Sequence, residues 1–562
     1  MAKKPPDPIP RQVAELPHDK TPKTANIVAA EKIIADISSG IYRSPAAALK
    51  ELVSNAYDAD ATKVTITTDA PYFRNLVIED NGIGMSIETF LQVITHVGGS
   101  RKRIQYELSP KYKRKLIGRI GIGLMSVAQL GNLFYVTSSV AGSPTRFIAE
   151  VNLEPFHRDD AALRSMGKLK DDGTVQIGAV KYVDNIPEME DVQYTVITVP
   201  NAKKGLISEM TSQVRKAVGA HERLSIEDEG RQIQKFDELI DVVRNTKRAD
   251  LALDGYYYML WELGLLCPVN YSLKGPFDLS GRPKGGRSIE NVELFKKPKI
   301  SNFHVFVDGL ELKRPQTFPN AGAMDYPSPN PKLYLLDFDR PIADRQLRFT
   351  GYVYSQQPRI DPEELKGVQI RIRNVGIGKY DKSWLGYPFE EGLKFGQVTG
   401  ELYVEDGLEP ALNIDRDSFR ETDVHYQALR AHVWQLLRQQ VFPDFKARQK
   451  EYKDKRKKKE RGKLTERFQE ALSQLPAPLT EHVEITKPDP SESKSFFTVT
   501  STKLLINKDK WRVLADEMQL SNDDAKERFF KVLTVLASNE MLQELTEDEL
   551  ENLLRALAVA VQ

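Results

Sequence analysis

The stretch from Ser44 to Asp60, SPAAALKELVSNAYDAD, constrains the fold of this chain more than any other. Serine followed by proline is typical of a helix start, because the hydroxyl caps free backbone N–H groups and proline fits the first turn. Apolar residues then recur at helical spacing, which predicts an amphipathic helix with one buried face. Glu51, Asn55 and Asp58 follow at i, i+4 and i+7, so two carboxylates and an amide lie along one face of that helix.

Two glycine-containing segments follow this helix, each at a point where an element is expected to end or begin. The apolar run Leu76–Ile78 predicts a short strand that leads into Asp80–Met85, with the sequence DNGIGM. Glycines at such a turn let a ligand approach the backbone closely. Farther along, Gly118–Gly123 (GRIGIG) precedes a helical pattern over Leu124–Leu130. Backbone N–H groups at such a start favour an anion, so the helix and both turns together predict a nucleotide site.

The segment between the two turns, residues 98–115, is basic and polar. It contains too little apolar surface to pack firmly against a core. We therefore expect it to be a mobile lid over the nucleotide.

The overall charge and the cysteine content exclude several classes of protein. The chain has 80 Lys and Arg against 79 Asp and Glu, a formal charge of +1, so as a whole it is not an electrostatic partner for DNA or membrane. A single cysteine, Cys267, excludes internal disulfides and cysteine-rich metal sites, and its apolar neighbours predict a small core residue. No apolar run reaches the roughly 18 residues of a membrane span and no signal peptide is recognisable, so we expect a cytoplasmic protein.

Hydrophobic periodicity and breaks in composition predict an α+β chain of several domains. A helix is expected over residues 26–39, and the alternating run Phe303–Val307 is expected to open a second sheet. Pro476–Ser495 is rich in Pro, Ser and Glu, which is typical of a flexible segment. The predicted divisions are a flexible arm (1–25), an α/β sandwich (26–204), a helical connector and loop (205–298), a second α/β domain (299–440), a charged linker (441–500) and a helical C-terminal domain (501–562).

The three motifs, taken together and in order, resemble the ATP site of the GHKL superfamily of gyrase, heat-shock chaperone, histidine kinase and MutL proteins. The matching elements are Glu51-x-x-x-Asn55-x-x-Asp58, Asp80-x-Gly82-x-Gly84 and Gly118-x-x-Gly-x-Gly123, and the resemblance covers residues 26–202. It implies a Bergerat-type α/β sandwich that binds ATP with Mg²⁺ and hydrolyses it to ADP and phosphate. The second α/β domain would then be a middle, transducer-like domain.

The resemblance also implies a role for each matching residue. Asn55 would supply an amide oxygen to Mg²⁺, a cation that prefers oxygen ligands. Glu51, one helical turn away, would orient or deprotonate the attacking water. Asp80 would accept a hydrogen bond from the exocyclic amine of adenine, and Thr195 would share that network through water. The other residues implied to contact the nucleotide are Asp58, Gly82, Gly84, Met85, Ser100, Arg101, Lys102, Gly118, Gly121, Ile122 and Gly123.

Each of these residues also has a purely structural interpretation. Carboxylates on a helix face are usually solvated, and a buried amide is usually satisfied by backbone groups. Thr195 is a common strand former, and Lys102 would be an ordinary surface lysine. The three motifs in order favour the nucleotide site, because structure alone does not require all of them.

A second resemblance lies at Glu409–Phe419, EPALNIDRDSF. It is similar to the stretch of the ninety-kilodalton heat-shock chaperones in which an asparagine and, three residues later, an arginine reach the nucleotide from the middle domain. Asn413 and Arg416 occupy those positions and are implied to be catalytic. A planar cation delivered by a second domain stabilises charge in the transition state. The segment Arg371–Lys379 offers an alternative, in which Arg373 makes the phosphate contact.

Two functions stay open at this point, and one of them is favoured. The favoured one is an ATP-driven switch of the heat-shock chaperone type, in which ATP closes the lid and clamps two protomers, with a protein partner bound through the C-terminal helices. The alternative is a DNA-associated GHKL ATPase like MutL or the MORC proteins, to which the basic run Lys446–Lys463 would supply phosphate contacts. The near-zero net charge argues against this alternative. A sensor histidine kinase is disfavoured, because no phosphoacceptor histidine helix precedes the ATP domain.

Overall fold

The computed structural model describes most of residues 16–455 and several short segments beyond them. The described residues are 16–17, 19–30, 44–97, 108–116, 123–153, 174–216, 222–224, 233–245, 251–272, 289–296, 302–315, 330–413, 416–455, 483–486, 497–499, 504–507, 525, 528–529, 532 and 545–561. They belong to two compact units, residues 1–446 and 447–562.

The first unit contains both helices and strands. The α-helices of the described residues are α1 (Pro45–Asp58), α2 (Ile87–Thr95), α3 (Val127–Leu130), α4 (Lys204–Thr211), α5 (Phe236–Asn245), α6 (Gly255–Leu266), α7 (Val424–Leu436) and α8 (Glu547–Val561). Short 3₁₀ turns lie at Gly123–Ser126, Val292–Leu294, Glu363–Leu365, Gly392–Gln397 and Glu409–Ala411, and a π-helical turn at Leu437–Val441 follows α7.

The strands of the described residues form four sheets. They are β1 (Lys23–Ala30), β2 (Lys63–Thr67), β3 (Leu76–Asp80), β4 (His96–Val97), β5 (Leu133–Ser139), β6 (Thr145–Asn152), β7 (Thr174–Pro187), β8 (Tyr194–Val199), β9 (Gln213–Lys216), β10 (Glu222–Leu224), β11 (Leu251–Asp254), β12 (His304–Val307), β13 (Leu310–Glu311), β14 (Lys332–Ile342), β15 (Arg345–Ser355), β16 (Gly367–Ile372), β17 (Val375–Asp381), β18 (Val398–Asp406), β19 (Val483–Thr486), β20 (Phe497–Val499) and β21 (Leu504–Asn507).

Helix α1 forms where the sequence predicts it. The Ser44 side chain accepts a hydrogen bond from the Ala47 N–H at 3.2 Å, and Pro45 is the first helical residue. This combination satisfies one free donor and fixes the entry of the chain into the first turn. The helix ends at Asp58, and nearly all of its side chains are buried, including both the apolar stripe and Glu51.

The first sheet has ten strands among the described residues, in the order β13-β12-β2-β3-β8-β5-β6-β7-β1-β4. Helix α1 and this sheet share one hydrophobic core, in which Leu49, Val53, Ile78, Val136 and Ile197 are buried. Ile78, Val136 and Ile197 each lie in a different strand. Within each strand, the neighbours of these residues point to the opposite face of the sheet, as the two-residue period requires. This layering is the mixed α/β arrangement that the sequence predicts for the nucleotide domain.

The N-terminal segment differs from its prediction. Residues 23–30 form strand β1, which pairs antiparallel with β7 from Lys23 opposite Tyr182 to Ala30 opposite Thr174. The helix expected over residues 26–39 is therefore wrong at residues 26–30, and the rest of that range lies outside the described residues. Periodicity alone does not separate a short apolar helix from a strand, and pairing with β7 decides the outcome here.

Strand β12 belongs to the first sheet. The expectation that this segment opens the second sheet is therefore wrong. It runs parallel to β2, with His304 opposite Lys63 and Val307 opposite Ile66. The alternation of apolar residues identifies this segment as a strand, but it carries no information on its partner. The first sheet therefore extends to Glu311, beyond the boundary expected at residue 299.

In its described residues, the predicted helical connector and loop (205–298) contains three α-helices and a small sheet. The helices are α4, α5 and α6, and the sheet has the strand order β10-β11-β9. Almost every residue of α6 is buried, because this helix contacts both α1 and β17. Cys267 follows α6 and is fully buried, which confirms the prediction of a small core residue.

The second sheet has the order β14-β15-β18-β16-β17. Strands β14, β15 and β16 carry apolar runs at residues 333–336, 347–354 and 368–372, and they lie in the predicted second α/β domain. Helix α7 packs on this sheet, and its Leu429 and Val433 are buried in a second hydrophobic cluster with Phe349, Ile370 and Leu402.

In the second unit, β19, β21 and β20 form a small sheet. Strand β19 lies inside Pro476–Ser495, so the prediction that this whole segment is flexible is wrong at residues 483–486. Helix α8 is one part of the predicted helical C-terminal region. No helix in the part of the chain that the structure describes is long and apolar enough to cross a membrane.

Candidate nucleotide site

Three polar side chains lie side by side across neighbouring strands of the first sheet. Asp80 at the end of β3 is the register partner of Thr195 in β8, and Thr195 is the register partner of Ser138 in β5. Register partners lie on the same face of a sheet, about 5 Å apart. Asp80, Thr195 and Ser138 therefore form a polar row at the end of the face that packs on α1.

The Ser138 hydroxyl connects this row to the glycine turn. It donates to the Tyr194 carbonyl at 2.7 Å, accepts from the Met85 N–H at 3.0 Å and lies 3.1 Å from Thr195 Oγ1. Both Ser138 and Thr195 are buried. The sequence analysis identified Thr195 and Met85 but missed Ser138, because a serine within an apolar strand carries no motif of its own.

The turn itself is fixed by backbone contacts. The Gly82 N–H donates to the Asp80 carboxylate at 2.8 Å, and the Ile83 N–H donates to the Ala59 carbonyl at 2.8 Å. Gly84 has a φ of +68°, and a Cβ on it would lie 1.9 Å from the Ser139 carbonyl oxygen. Glycine is therefore required at position 84 by the fold itself, in addition to any contact with a base.

Asp80 has an unusual environment for a carboxyl group. Burial raises the pKa of Asp80 to about 7, and the opposing effect of the Gly82 N–H is smaller. A carboxyl group that loses its proton only near neutrality is a recognised feature of functional sites. A hydrogen-bond donor on a ligand would stabilise the ionised form and lower this pKa again.

At the other end of the site, Glu51 is enclosed by cations. Arg416 Nη1 lies 2.8 Å from Glu51 Oε2, and Lys50 Nζ lies 3.6 Å from Oε1. Lys50 also contacts Asp417 Oδ1 at 2.9 Å. The side chains of Lys50 and Glu51 are 1% and 3% exposed. Two cations and two anions therefore form a buried cluster whose formal charges cancel.

The charges of this cluster outweigh the cost of burying each member. Burial alone raises the pKa of Glu51, but the positive charges of Arg416 and Lys50 more than offset it and hold the pKa below its usual value. Burial alone lowers the pKa of Lys50, and the charges of Glu51 and Asp417 raise it above its usual value. In this arrangement Glu51 is ionised but a weak base.

The loop that carries Arg416 rests on the second sheet. Its backbone has a φ of +53° at Arg416, and the Asp417 carbonyl would lie 2.6 Å from a Cβ on Gly378 of β17. Arg373, the alternative phosphate contact, is instead paired with Glu409 at 2.5 Å. The Asn413 amide donates to Ser418 Oγ at 2.8 Å, within the same loop. Arg416 therefore contacts Glu51, whereas Arg373 and Asn413 make contacts with Glu409 and Ser418 in the same region.

The remaining predicted residues divide into described and undescribed ones. Asn55 and Asp58 lie on the same helix as Glu51 and are partly exposed, and Gly123 begins the 3₁₀ turn before α3. Six other predicted contacts lie outside the described residues, namely Ser100, Arg101, Lys102, Gly118, Gly121 and Ile122.

The end of the predicted lid is anchored instead of mobile. Asp60 accepts from Ser109 Oγ at 2.5 Å and from the Lys111 N–H at 2.6 Å. The Arg114 guanidinium donates to the Tyr57 and Ala61 carbonyls at 3.0 and 2.6 Å and stacks on the Tyr57 ring. Polar and cation–π contacts replace the apolar packing whose absence led us to expect mobility across residues 98–115. Residues 108–116 are therefore fixed to the carboxyl end of α1.

A second buried cluster joins the connector to the second sheet. The Glu401 carboxylate accepts from Arg371 Nε at 2.8 Å and from the Tyr271 and Tyr403 hydroxyls at 2.6 and 2.7 Å. Burial would raise the pKa of Glu401, but Arg371 and Arg314 outweigh it and hold the pKa at about 2. A buried carboxylate with this many directional donors fixes one relative position of the elements that supply them.

The described residues fit an adenine nucleotide with Mg²⁺. Asp80 and Thr195 offer oxygen acceptors for a base, and Lys50 and Arg416 offer buried positive charge for phosphates. No group of three or more His, Cys, Asp or Glu that could hold a metal is found among the residues the structure describes. A cation here would rely on the Asn55 amide oxygen together with phosphate oxygens and water, which is the way Mg²⁺ is usually bound with nucleotides.

Comparison with known proteins identifies the first domain. Residues 42–170 match the family described as histidine kinase-, DNA gyrase B- and HSP90-like ATPases. This range contains the motifs at Glu51, Asp80 and Gly118. Residues 42–170 are therefore a GHKL-type ATPase domain, as the sequence motifs predict.

Individual relatives are similar over a limited part of the chain. A protein named as a type II restriction enzyme, HgiDII of Herpetosiphon aurantiacus, is 35% identical over 112 residues, 20% of this chain and 18% of that protein. The DNA mismatch repair protein MutL of Streptococcus uberis is 32% identical over 122 residues, 21% of this chain and 18% of that protein. MutL of Crocosphaera subtropica is 29% identical over 133 residues, 24% and 22% of the two chains.

The similarity to these three relatives covers between 20% and 24% of this chain, and the chain spans about a fifth of the length of the curated relatives it matches. These relatives fit the DNA-associated alternative better than the favoured expectation of a heat-shock chaperone-type protein. The closer resemblance to the chaperones is unconfirmed.

Proposed function

We propose that this chain is a Mg²⁺-dependent ATPase that couples hydrolysis to a rearrangement between its two large sheets, in a DNA-associated protein of the MutL type. The observation that carries the ATPase part is the contact between Arg416 and Glu51. A cation from a loop on the second sheet meets the expected general base on α1, at a distance of 2.8 Å. These two residues are 365 positions apart in the chain.

The proposed reaction is attack of water on the terminal phosphorus of ATP, with cleavage of its bond to the bridging oxygen of ADP. Glu51 orients the water and takes up its proton. Arg416 and Lys50 donate to the phosphoryl oxygens as negative charge develops on them. Mg²⁺, held through Asn55, would offset phosphate charge when bound. Asp80 and Thr195 hold the base.

The charge cluster explains how Arg416 and Lys50 keep Glu51 a weak base until a nucleotide is bound. Arg416 and Lys50 both stabilise ionised Glu51, which makes it a poor proton acceptor. Phosphate oxygens compete for the same two cations. As Arg416 and Lys50 turn toward phosphate, Glu51 loses their stabilisation, its pKa rises and it becomes a better base. Glu51 thus becomes an effective base only when the phosphates of the nucleotide are present.

The first experiment tests hydrolysis through Glu51→Ala. The variant should still bind ATP, because it keeps Arg416 and Lys50 for the phosphates, but should hydrolyse it about 10²- to 10⁴-fold more slowly, because it lacks the general base. Radiolabelled ATP binding and phosphate release measure the two quantities separately. Turnover within about threefold of wild type would contradict the role of Glu51. Sedimentation of the same variant with ATP would show whether the closed state is a dimer.

The DNA part of the proposal rests on the relatives and on one segment. Residues 446–463 carry eleven Lys and Arg against three Asp and Glu, although the whole chain is nearly neutral. Within this segment, residues 446–455 are helical and largely exposed. A local patch of this kind binds a phosphate backbone with an affinity that falls steeply as salt rises.

Charge replacement tests this part with a matched control. Replacing Lys457, Lys458 and Lys459 with glutamine should reduce the slope of log Kd against log salt for duplex DNA by up to about 3, because each lost phosphate contact contributes about 0.9. The control replaces Lys23, Lys181 and Lys382, whose side chains are each 58% exposed. An equal change in both variants, or no salt dependence in wild type, would contradict DNA binding by this segment.

A protein-directed switch of the heat-shock chaperone type is the second candidate function. The observation that favours it is the loop itself, since Asn413 and Arg416 occupy the positions of the chaperone motif and Arg416 reaches Glu51. Affinity purification of Glu51→Ala with ATP distinguishes the two. Nuclease-sensitive recovery of DNA supports the first, and a nuclease-resistant protein partner supports the second.

A further inference from the structure

Helix α7 and the π-helical turn after it carry arginines and aromatic residues at regular spacing. Four of these residues follow one another at intervals of four, so they are neighbours along one side of the helix. A fifth lies beside the last of them, on the loop that precedes β18. We call the five residues the arginine–aromatic ridge; they are Tyr426, Arg430, Trp434, Arg438 and Phe389.

Each arginine of the ridge lies over an aromatic ring. The guanidinium carbon of Arg430 is 4.8 Å from the centre of the Trp434 ring, and that of Arg438 is 4.5 Å from the centre of the Phe389 ring. Arg438 is exposed, and Phe389 keeps 42% of its surface exposed beside it. Contact with a ring restricts a guanidinium but leaves N–H groups that can donate to a ligand.

The charge of the ridge favours an anionic partner. Between Val424 and Phe442 the sequence contains no Asp or Glu. Arg438 forms no ion pair with any residue that the structure describes. Arg430 Nη1 lies 2.6 Å from Glu421 Oε2, but the Glu421 side chain is 71% exposed. An ion pair with such an exposed carboxylate contributes little stability, so a phosphate can compete for Arg430.

An arginine over an aromatic ring can also be ordinary surface packing, and the first unit contains such a pair. Arg74 lies over the Tyr72 ring at 5.1 Å, in the connection between β2 and β3, and Tyr72 is 61% exposed. Asp69 lies in the same short connection. The ridge differs because it combines two such pairs along one helix that has no acidic residue. The Tyr72–Arg74 pair is therefore a matched control for the ridge.

We propose that the arginine–aromatic ridge binds single-stranded nucleic acid. The two guanidinium groups donate to phosphates, and unpaired bases stack on the exposed surface of Phe389 and on the guanidinium planes. A duplex keeps its bases stacked on one another, so it would meet the guanidinium groups alone. This inference rests on the DNA-associated part of the proposed function, to which it adds a surface outside residues 446–463 and a form of nucleic acid.

The first test separates the single strand from the duplex by fluorescence anisotropy of the full chain without ATP. One probe is labelled oligothymidylate of about 20 nucleotides, longer than a typical binding site, and the other is the same strand annealed to oligoadenylate. Phe389→Leu should weaken binding of the single strand at least about fivefold, because one stacked base is lost, and leave duplex binding within about twofold. Tyr72→Leu should leave both affinities within about twofold of wild type.

The second test separates phosphate contacts from stacking. Arg438→Gln should reduce the slope of log Kd against log salt for the single strand by about 0.7, the contribution of one phosphate contact, whereas Phe389→Leu removes no charge and should leave the slope unchanged. Arg74→Gln is the control and should also leave it unchanged. Glu421→Gln should strengthen binding of the single strand, because it frees Arg430 for phosphate. A ridge with a purely structural role would not produce this gain.

Several outcomes would overturn the inference. They are equal losses of Phe389→Leu for both probes, equal affinities of Phe389→Leu and Tyr72→Leu for the single strand, and no gain from Glu421→Gln. A protein retained by wild type but not by Phe389→Leu, without binding of the single strand, would assign the ridge to a protein partner instead. If Phe389→Leu does not fold, Arg438→Gln and Glu421→Gln decide. Wild type that binds only the duplex overturns this inference alone, whereas wild type that binds neither probe also overturns the DNA part of the proposed function.

Discussion

Replacing Arg416 with methionine should slow ATP hydrolysis by about 10²- to 10³-fold, the loss expected for one preorganised donor to developing charge. In the structure the guanidinium lies 2.8 Å from the Glu51 carboxylate. At an effective dielectric constant of about 20, this distance corresponds to an attraction of about 6 kcal/mol before desolvation is subtracted. In the proposed mechanism this contact is exchanged for one between the same cation and phosphate, so the exchange should change ground-state energy little.

This exchange predicts which kinetic parameter changes. An interaction that is replaced by one of similar strength contributes little to substrate binding, so KM for ATP should stay within about threefold of wild type while kcat falls. Steady-state phosphate release over a range of ATP concentrations measures both. Arg420→Met is the matched control, since Arg420 lies in the same segment with its side chain 56% exposed. It should leave kcat and KM unchanged.

Two results would refute this reasoning in different ways. If Arg416→Met and Arg420→Met have the same kcat, the transition state is stabilised by another cation, and Lys50 is the nearest one to Glu51. If Arg416→Met is faster than wild type, the contact with Glu51 only restrains the base and Arg416 makes no contribution to catalysis. Equal ADP affinity in all three proteins shows that the nucleotide site is intact.

Three further predictions follow from individual contacts. Below about pH 7 the affinity for ADP should fall by up to tenfold per pH unit, because protonated Asp80 is a weaker acceptor for the amine and carries a hydrogen of its own. The affinity should level off above that pH. Calorimetry tests this, and Asp80→Asn should bind weakly without the pH dependence. Gly378→Ala should lower kcat more than Gly386→Ala. Their φ values of +64° and +70° impose a similar backbone cost, but only the Cβ at 378 meets the Asp417 carbonyl. Glu401→Gln should destabilise the first unit by about 3 to 5 kcal/mol in chemical denaturation, against about 1 kcal/mol for Tyr403→Phe.

The elements that could be predicted from the sequence are those with local signals. Ser44 and Pro45 mark the start of α1 by chemistry that acts within one turn, and the apolar run at Leu76 marks β3. The glycine turn at Asp80–Met85 is also local, since positive φ at Gly84 depends on the turn itself. In each case the residues that form the element also specify it.

The errors concern partners that are distant in the chain. The pattern at residues 26–30 was compatible with a helix, and only pairing with β7 makes this segment a strand. The strand at residues 304–307 was recognised, but its place beside β2 depends on a surface formed more than 200 residues earlier. The anchoring of residues 108–116 was missed for a related reason. Asp60 and Arg114 replace apolar packing with hydrogen bonds and ring stacking, which hydrophobic patterns do not report.

The candidate site shows the same division. Glu51 and Asp80 could be identified because each lies in a motif of fixed spacing. Arg416 was identified only through resemblance to another family, because no periodicity relates it to α1. Ser138 could not be identified at all, since its role arises from three contacts with Met85, Tyr194 and Thr195 that no spacing encodes.

The position of the Arg416 loop and the affinity for phosphate must influence each other. Arg416 contacts Glu51 from a loop that rests on β17 at Gly378, and the second sheet is fixed to the connector through Glu401. If phosphate draws Arg416 away from Glu51, it changes the free energy of every contact that holds this loop. Linkage then requires the reverse effect by the same factor, so a partner that shifts the second sheet changes ATP affinity. If the proposed mechanism is right, the buried charge cluster is the physical connection by which ATP hydrolysis beside α1 moves the second sheet.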